Sequence, residues 1–387
     1  MTTPSVAPRS RPPFRADHVG SLLRPERLKE ARHKLLGPQT PDSHLGPHDN
    51  AELRAVEDEC IREVVAMQER AGLRSVTDGE FRRRSWWLDL PMGWKGFKAD
   101  RTGTMEFTWR NAKGERMPFS RLWTTGKIEW QDSATAKAVK FLVEATKQTA
   151  KVTIPAPFLM HMYGGGDKGV TEAHYKDIEE WWADLTTAYR KETEALIAAG
   201  ARYIQFDDTC IAFLCDPEHR DTVKGWGRDP DQLLSEYCDR LNAVIDGLPD
   251  DVTITLHQCR GNREGNWAAD GGYDPVADAL FNRCNVHGYF LEWDSPRAGG
   301  FEPLRLLPKG KVVAMGLVNS KSAQLDDADK IKRRIDEAAK FAPLEQLALT
   351  PQCGFASSIG GNPLSESQEE AKLAQMVAIA RDVWGEA

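Results

Sequence analysis

Apolar positions along the chain alternate between two periods. Short runs rich in β-branched and aromatic residues read as buried strands, and longer stretches with an apolar residue every three or four positions read as amphipathic helices. Residues 14–19 form the first strand candidate, running into Gly20-Ser21. Helices are expected over 25–36 and 51–71. In the second, Leu53, Val56, Cys60, Val64, Val65 and Met67 keep helical spacing, and Gly72 stands where a left-handed cap would end it. Further strands are expected at 73–77, 151–154, 202–206, 251–256, 286–291, 311–315 and 344–349. Helices are expected at about 133–147, 171–199, 230–246, 274–282, 325–341 and 366–384.

About eight short strands, most followed by a helix, imply a parallel sheet. Eight such units in one chain predict an α/β fold of the (β/α)8 TIM-barrel type. A doubly wound open sheet is the alternative, but no Gly-rich phosphate or dinucleotide loop follows the first strand. Residues 90–131 break the rhythm. Aromatic and Thr-rich runs flank Asn111-Ala-Lys-Gly114, which predicts a β-hairpin insertion. Residues 1–13 are rich in Pro, Ser and Arg and read as a disordered leader, leaving 14–387 as a single catalytic barrel.

Composition narrows the partners. The chain has 387 residues and a net charge of −7, which argues against nucleic acid or an anionic membrane surface. No apolar run is long enough to span a bilayer, and the N-terminus has no apolar signal-peptide core. Seven scattered cysteines, an odd number, suit a reducing cytoplasm better than a disulfide framework. The expected partners are therefore small molecules, and the composition permits a homo-oligomer. Among the twelve tryptophans, Trp86, Trp87, Trp94, Trp267 and Trp293 lie in polar surroundings. There an aromatic can line a ligand cavity or simply pack at a helix edge.

The polar residues sort by position. Ser21, Glu80, Asp207, His257, Cys259, Glu292 and Cys353 each stand at or just after the C-terminal end of an expected strand. In a barrel that end is the active-site face. His257 and Cys259 sit two apart on an extended segment, so both can face one point. With Glu292 and Cys353 they supply one nitrogen, two sulfurs and one oxygen, a set suited to zinc and poor for magnesium or calcium. Ligands from three separate strands imply a site assembled by the fold. Such a zinc can exchange a weaker ligand for a substrate thiol and lower its pKa. The competing readings are a buried strand-end thiol for Cys353 and a salt bridge to Arg297 for Glu292.

These residues also carry a family resemblance. His257-x-Cys259, Glu292 and Thr350-Pro-Gln-Cys353-Gly354 resemble the zinc ligands of the cobalamin-independent methionine synthases, which bind zinc through His, Cys, Glu and Cys in that order. His18-Val-Gly-Ser21 is similar to the family's Ile-Gly-Ser turn, Asp78-Gly79-Glu80 to its Gly-Glu, and Gln205-Phe-Asp207 to its Gln-Ile-Asp. The likeness is strongest to single-barrel members, which share Thr77-Asp-Gly-Glu-Phe-Arg82 and Gly360-Gly-Asn-Pro363. It implies a zinc-dependent methyltransferase that activates a thiol, homocysteine first, with a methylfolate or another methyl carrier as donor. Ser21 would then contact the substrate carboxylate, and Glu80 and Asp207 its ammonium. An amino acid zwitterion needs these groups.

The pattern also departs from the family. This chain has one barrel where the family has two, and the family's general-acid histidine has no aligned counterpart. Lys321, in Gly316-Leu-Val-Asn319-Ser-Lys321-Ser, is the candidate for that place, as acid or as an anion contact. The family's Asp-Glu-Pro is Asp207-Asp208-Thr209, which makes Asp208 a second candidate catalytic residue. Three alternatives stay open. One is a zinc S-alkyltransferase resembling the epoxyalkane:coenzyme M transferases. The others are a non-catalytic zinc- or methionine-binding barrel and a metal-free decarboxylase of related fold.

Overall fold

The computed structural model describes residues 9–38, 43–111, 113–172, 174–262 and 266–387. Nine strands are present among them: β1 (Ser75–Val76), β2 (Lys95–Arg110), β3 (Arg116–Glu129), β4 (Thr149–Pro155), β5 (Tyr203–Asp208), β6 (Thr253–Gln258), β7 (Gly288–Glu292), β8 (Val312–Val318) and β9 (Leu347–Pro351). Seven of them form one parallel sheet in the order β1-β4-β5-β6-β7-β8-β9. The register aligns Asp207 with His257 and His257 with Phe290 across β5, β6 and β7, so polar strand ends fall side by side.

The eighth stave is the 14–19 segment, and it is weaker than its pattern predicts. It contributes a single parallel bridge, Ala16 to Leu349, with Asp17 N donating to Leu349 O at 3.1 Å and Leu349 N to Arg15 O at 2.8 Å. Its other edge meets β1 largely through side chains. Ser75 Oγ donates to Asp17 Oδ1 at 2.8 Å and Thr77 Oγ1 to Gly20 O at 2.6 Å, joined by Leu22 N to Gly79 O at 3.1 Å. Polar side chains here replace the backbone ladder, and the result is a TIM-barrel fold.

The helices follow the expected periodicity closely. Ala51–Ala71 is capped by Asn50, whose side chain accepts from Leu53 N, and ends on Gly72 at φ 90°. Glu366–Trp384 opens with a capping box between Ser365 and Gln368. One expectation is corrected. The long helix begins at Ile178 and not near 171, because residues 158–171 fold into two short helices, Phe158–Met162 and Gly166–Thr171. Pro155 and Pro157 before them, and Gly164-Gly165-Gly166 between them, break any longer helix.

A small core fills the barrel itself, separate from the large core outside the sheet. Val19, Tyr203, Phe290, Val312, Ala314 and Ala348 form it. Lys151 enters this interior. Its ammonium bonds Asp17 Oδ1 at 3.2 Å and lies 3.9 Å from the centre of the Phe290 ring. A buried charge survives only when paired and hydrogen-bonded, and Asp17 and the His18 carbonyl meet that need. This paired layer lies one step below the strand ends.

The expected insertion is present as the antiparallel pair β2–β3. Its end is tied to the barrel loops. Arg110 and Trp267 exchange backbone bonds of 2.6 and 3.0 Å, so the hairpin is joined to the loop after β6. The Arg110 guanidinium adds bonds to Asp216 at 3.0 Å, Asp270 at 3.2 Å and Glu218 at 2.8 Å.

The leader expected over 1–13 lies partly outside the described residues, at 1–8. Residues 9–13 are placed: Arg9 N donates to Glu386 Oε1 at 2.7 Å, and Pro13 is buried. No helix among the described residues is long and apolar enough to cross a membrane.

Candidate metal centre

His257 lies one residue before the end of β6, with its imidazole turned to the barrel mouth. Its Nδ1 lies 3.3 Å from Phe290 O, which fixes that nitrogen as the donor. Nε2 is buried near the Cys353 sulfur, which raises the His257 pKa, and once deprotonated it offers a lone pair to the site. Just past the same strand, Cys259 places its sulfur 3.2 Å from that of Cys353, which follows β9. A disulfide would be near 2.05 Å, so these are two separate thiols. The ligand atoms of His257, Cys259 and Cys353 all lie within 4.8 Å of one another, and all three residues are buried.

The electrostatics suit a cation. The hydrogen bond from Cys259 and the neighbouring His257 hold the Cys353 thiol well below its ordinary range. That same bond to Cys353, together with burial, pushes Cys259 well above it. One thiolate and one thiol share the proton that a metal would displace. Glu292, the fourth expected ligand, is fully buried beside this cluster but is not part of it. Its Oε2 accepts from Arg260 N at 3.4 Å, and Oε1 has no hydrogen-bond partner, with Arg297 Nη2 4.0 Å away. An orphaned imidazole nitrogen, a close sulfur pair and an orphaned carboxylate oxygen beside them fit zinc chemistry.

A narrow cleft of about 30 Å³ opens directly over these atoms. Ser21, Glu80 and Asp207 line it together with His257, Cys259 and Cys353. Glu80 adopts φ 62°, a left-handed conformation that costs a side-chain-bearing residue of order 1 kcal/mol. It is held there by Glu80 N to Asp78 Oδ1 at 2.9 Å and by Arg24 Nη2 to Glu80 O at 2.8 Å. Thr153 Oγ1 donates to Oε1 at 2.9 Å, while Oε2 is buried without a hydrogen-bond partner. Burial raises the pKa of Glu80. Asp207 accepts from Gln205 Nε2 at 2.7 Å and is pushed up to about 7, chiefly by burial. Arg83 and Arg24 stand 3.8 and 4.0 Å from Glu80 and partly offset its burial, whereas Asp207 is held by the Gln205 amide. Gly354 explains the placing of Ser21: a Cβ there would lie 1.9 Å from Ser21 Oγ.

Residues 42–382 match the family model described as "Cobalamin-independent synthase, Catalytic domain". The chain belongs to this family. The uncharacterised protein YxjH of Bacillus subtilis is 40% identical over 374 residues, covering 96% of this chain and 95% of its own. A methionine synthase of Pyrococcus furiosus is 23% identical, over 85% of this chain and 82% of its own. A solved structure from Listeria monocytogenes, provisionally assigned as a vitamin-B12-independent methionine synthase, shares 34% identity. It superposes with a TM-score of 0.73 over 98% of this chain and all of that one.

Two expected residues of this synthase-family chain stand apart from the cleft. Asp208 is buried, and its carboxylate accepts from Cys210 N at 2.7 Å and Ile211 N at 2.9 Å. Those bonds hold the first turn of the short helix Cys210–Phe213, and Asp208 does not line the cleft. The Lys321 ammonium bonds Gly261 O at 3.2 Å and lies near enough to both thiols to favour their ionised forms.

Sequence reading missed part of the lining. Trp86 was singled out and does line the cleft, but Trp109, Thr209, Asn262 and Ser357 line it too. Trp109 arrives on the hairpin, and no local signal shows where a hairpin folds back. Trp87, Trp94 and Trp293 are core residues.

Proposed function

We propose that residues 14–387 form one catalytic barrel that methylates a thiol, homocysteine in the first place, in a zinc-dependent reaction. The observation that carries this reading is the meeting of His257 Nε2 with the two sulfurs directly beneath a cleft lined by Ser21, Glu80 and Asp207. His257, Cys259 and Cys353, with Glu292 beside them, would hold the metal. A bound zinc ion supplies the acidity that turns an incoming thiol into a thiolate nucleophile at neutral pH.

The chain's own residues do the rest. Glu80 and Asp207 bind the substrate ammonium, and Ser21 Oγ donates to its carboxylate, which orients the sulfur toward the metal cluster. Burial of these groups excludes water and strengthens each contact. The charge of Lys321 favours the ionised cysteines. The thiols of Cys259 and Cys353 stay unbridged in a reducing, cytoplasmic setting.

A coenzyme M type acceptor is supported less well. A sulfonate needs Lys or Arg, and none lines the cleft among the described residues. A metal-free decarboxylase leaves the orphaned Nε2 and the sulfur pair without a purpose. The test joins a metal assay to proton release. One zinc per chain, and a proton released on adding homocysteine but not coenzyme M, is the expected result. Purification without stoichiometric zinc, or full turnover by Cys259→Ser, would sink the reading.

A further inference from the structure

We propose that Arg297 is a positioning residue that takes hold of the Glu292 carboxylate when a thiol enters the metal centre, and turns to Asp270 when Glu292 serves the metal. The inference rests on the reading of this centre as a thiol-activating zinc site.

Arg297 stands between two acids and is hydrogen-bonded to neither. It lies in the short turn Pro296–Ala298 after β7. Its Nη2 is 4.0 Å from Glu292 Oε1, and its Nε is 3.7 Å from Asp270 Oδ1. Both separations exceed the roughly 2.7–3.2 Å of a hydrogen bond. Glu292 Oε1, Asp270 Oδ1 and Arg297 Nε are each buried without a hydrogen-bond partner. The guanidinium rests on the Trp267 ring, 4.6 Å from its centre. An indole face supports a guanidinium without fixing which acid it turns to.

The two acids are held differently. Asp270 is anchored: its Oδ2 accepts from Arg110 Nη1 at 3.2 Å, and its N–H donates to Asp216 Oδ2 at 2.9 Å. The Glu292 carboxylate has only the long bond from Arg260 N at 3.4 Å. The cation therefore has a fixed acid on one side and a loosely held one on the other.

Charge decides which of them it serves. Two thiolates and the Glu292 carboxylate already outweigh the charge of one zinc ion. A substrate thiolate added to them requires one anion to withdraw, and the carboxylate is the poorest match for zinc among them. Glu292 is fully buried, so withdrawing it without a cation is prohibitive. Among the described residues Arg297 is the one cation within ion-pair distance of it. Arg260 is nearer in sequence to the cysteine ligand, but its guanidinium lies over the Tyr273 ring at 4.5 Å. Closing the Arg297 gap from 4.0 Å to about 2.8 Å would make a charge-assisted hydrogen bond.

Zinc affinity of the full-length protein, read by competition with a chelating dye, tests this before any thiol is present. Loss of a group that supports a metal ligand ordinarily weakens the metal. Here Arg297→Gln should tighten zinc roughly threefold or more, because Glu292 then has no other cation to hold it away. Asp270→Asn should weaken zinc by a similar factor, because Arg297 is left to Glu292 alone, and Arg297→Lys should stay near the parent. In a Glu292→Gln background neither Arg297→Gln nor Asp270→Asn should move zinc affinity. Unchanged or weaker zinc in Arg297→Gln, or the same shift in the Glu292→Gln background, overturns the proposal. Calorimetry on the zinc-loaded proteins then adds homocysteine. Arg297→Gln should bind it at least roughly tenfold more weakly with its zinc retained, and equal binding by parent and variant overturns the proposal. If the parent binds no homocysteine, the thiol reading fails instead, and the zinc comparison still decides the part played by Arg297.

Discussion

Asp207→Asn isolates the cost of keeping a cleft carboxylate dry. In the empty fold Asp207 is 5% exposed, and its pKa rises from 3.8 to about 7. Burial is the main cause, the Glu80 carboxylate adds to it, and His257 and the Gln205 bond oppose it. The sign follows from proton binding: between the two values the folded state holds a proton that the unfolded chain has released. The stability owed to this group is complete below the unfolded pKa and is lost as pH rises through 7. At about 1.4 kcal/mol per unit, raising the pH from 5 to 8 should cost the parent about 3 kcal/mol more than the variant. Asparagine keeps the acceptor for Gln205 Nε2, so the packing is conserved. The assay is urea unfolding of metal-stripped protein at both pH values, comparing parent with Asp207→Asn. The variant should also bind homocysteine at least tenfold more weakly, with no change toward its desamino analogue. Parallel stability curves for the two proteins would refute the assignment of a buried Asp207 whose pKa is raised on folding.

Three further outcomes follow from named contacts. Cys353→Ser should abolish stoichiometric zinc, whereas Glu292→Gln, altering a residue beside the cluster and not in it, should weaken zinc roughly 10–100-fold, both read by competition with a chelating dye. Gly354→Ala should push Ser21 Oγ aside and raise KM for homocysteine while zinc content stays at one per chain, measured by steady-state kinetics and metal analysis. Glu57→Ala strands Arg32, His48, Arg82 and Arg54, which meet that buried carboxylate at 3.0, 2.9, 3.1 and 3.3 Å, and should lower stability by about 3–5 kcal/mol in urea unfolding.

Legibility divides along physical lines. Where one periodic signal decides a feature, as in the helix Glu366–Trp384 or the strand β6, the sequence reading and the fold agree to within two residues. Residues 14–19 were harder, because their apolar pattern hides that Asp17 closes the barrel through its side chain to Ser75. His257, Cys259 and Cys353 were readable because a barrel gathers its strand ends, so position along the chain translates into position in space. Asp208 misled for the opposite reason: it stands at a strand end too, yet its carboxylate turns to backbone N–H groups one and two residues beyond its neighbour.

The hairpin sets the limit of that translation. Its strands are visible as alternation, but its destination is fixed by Arg110, which reaches Asp216, Glu218 and Asp270 in two other loops. Asp216 and Glu218 are near neighbours in sequence, but Asp270 is remote from them and from Arg110, and the set carries no shared pattern. Their convergence fixes the hairpin end that carries Trp109 over Gly261, next to the sulfur pair. The floor of the cleft is therefore written in strand-end residues that periodicity can locate. The hairpin's place over that floor is written in long-range ion pairs that it cannot.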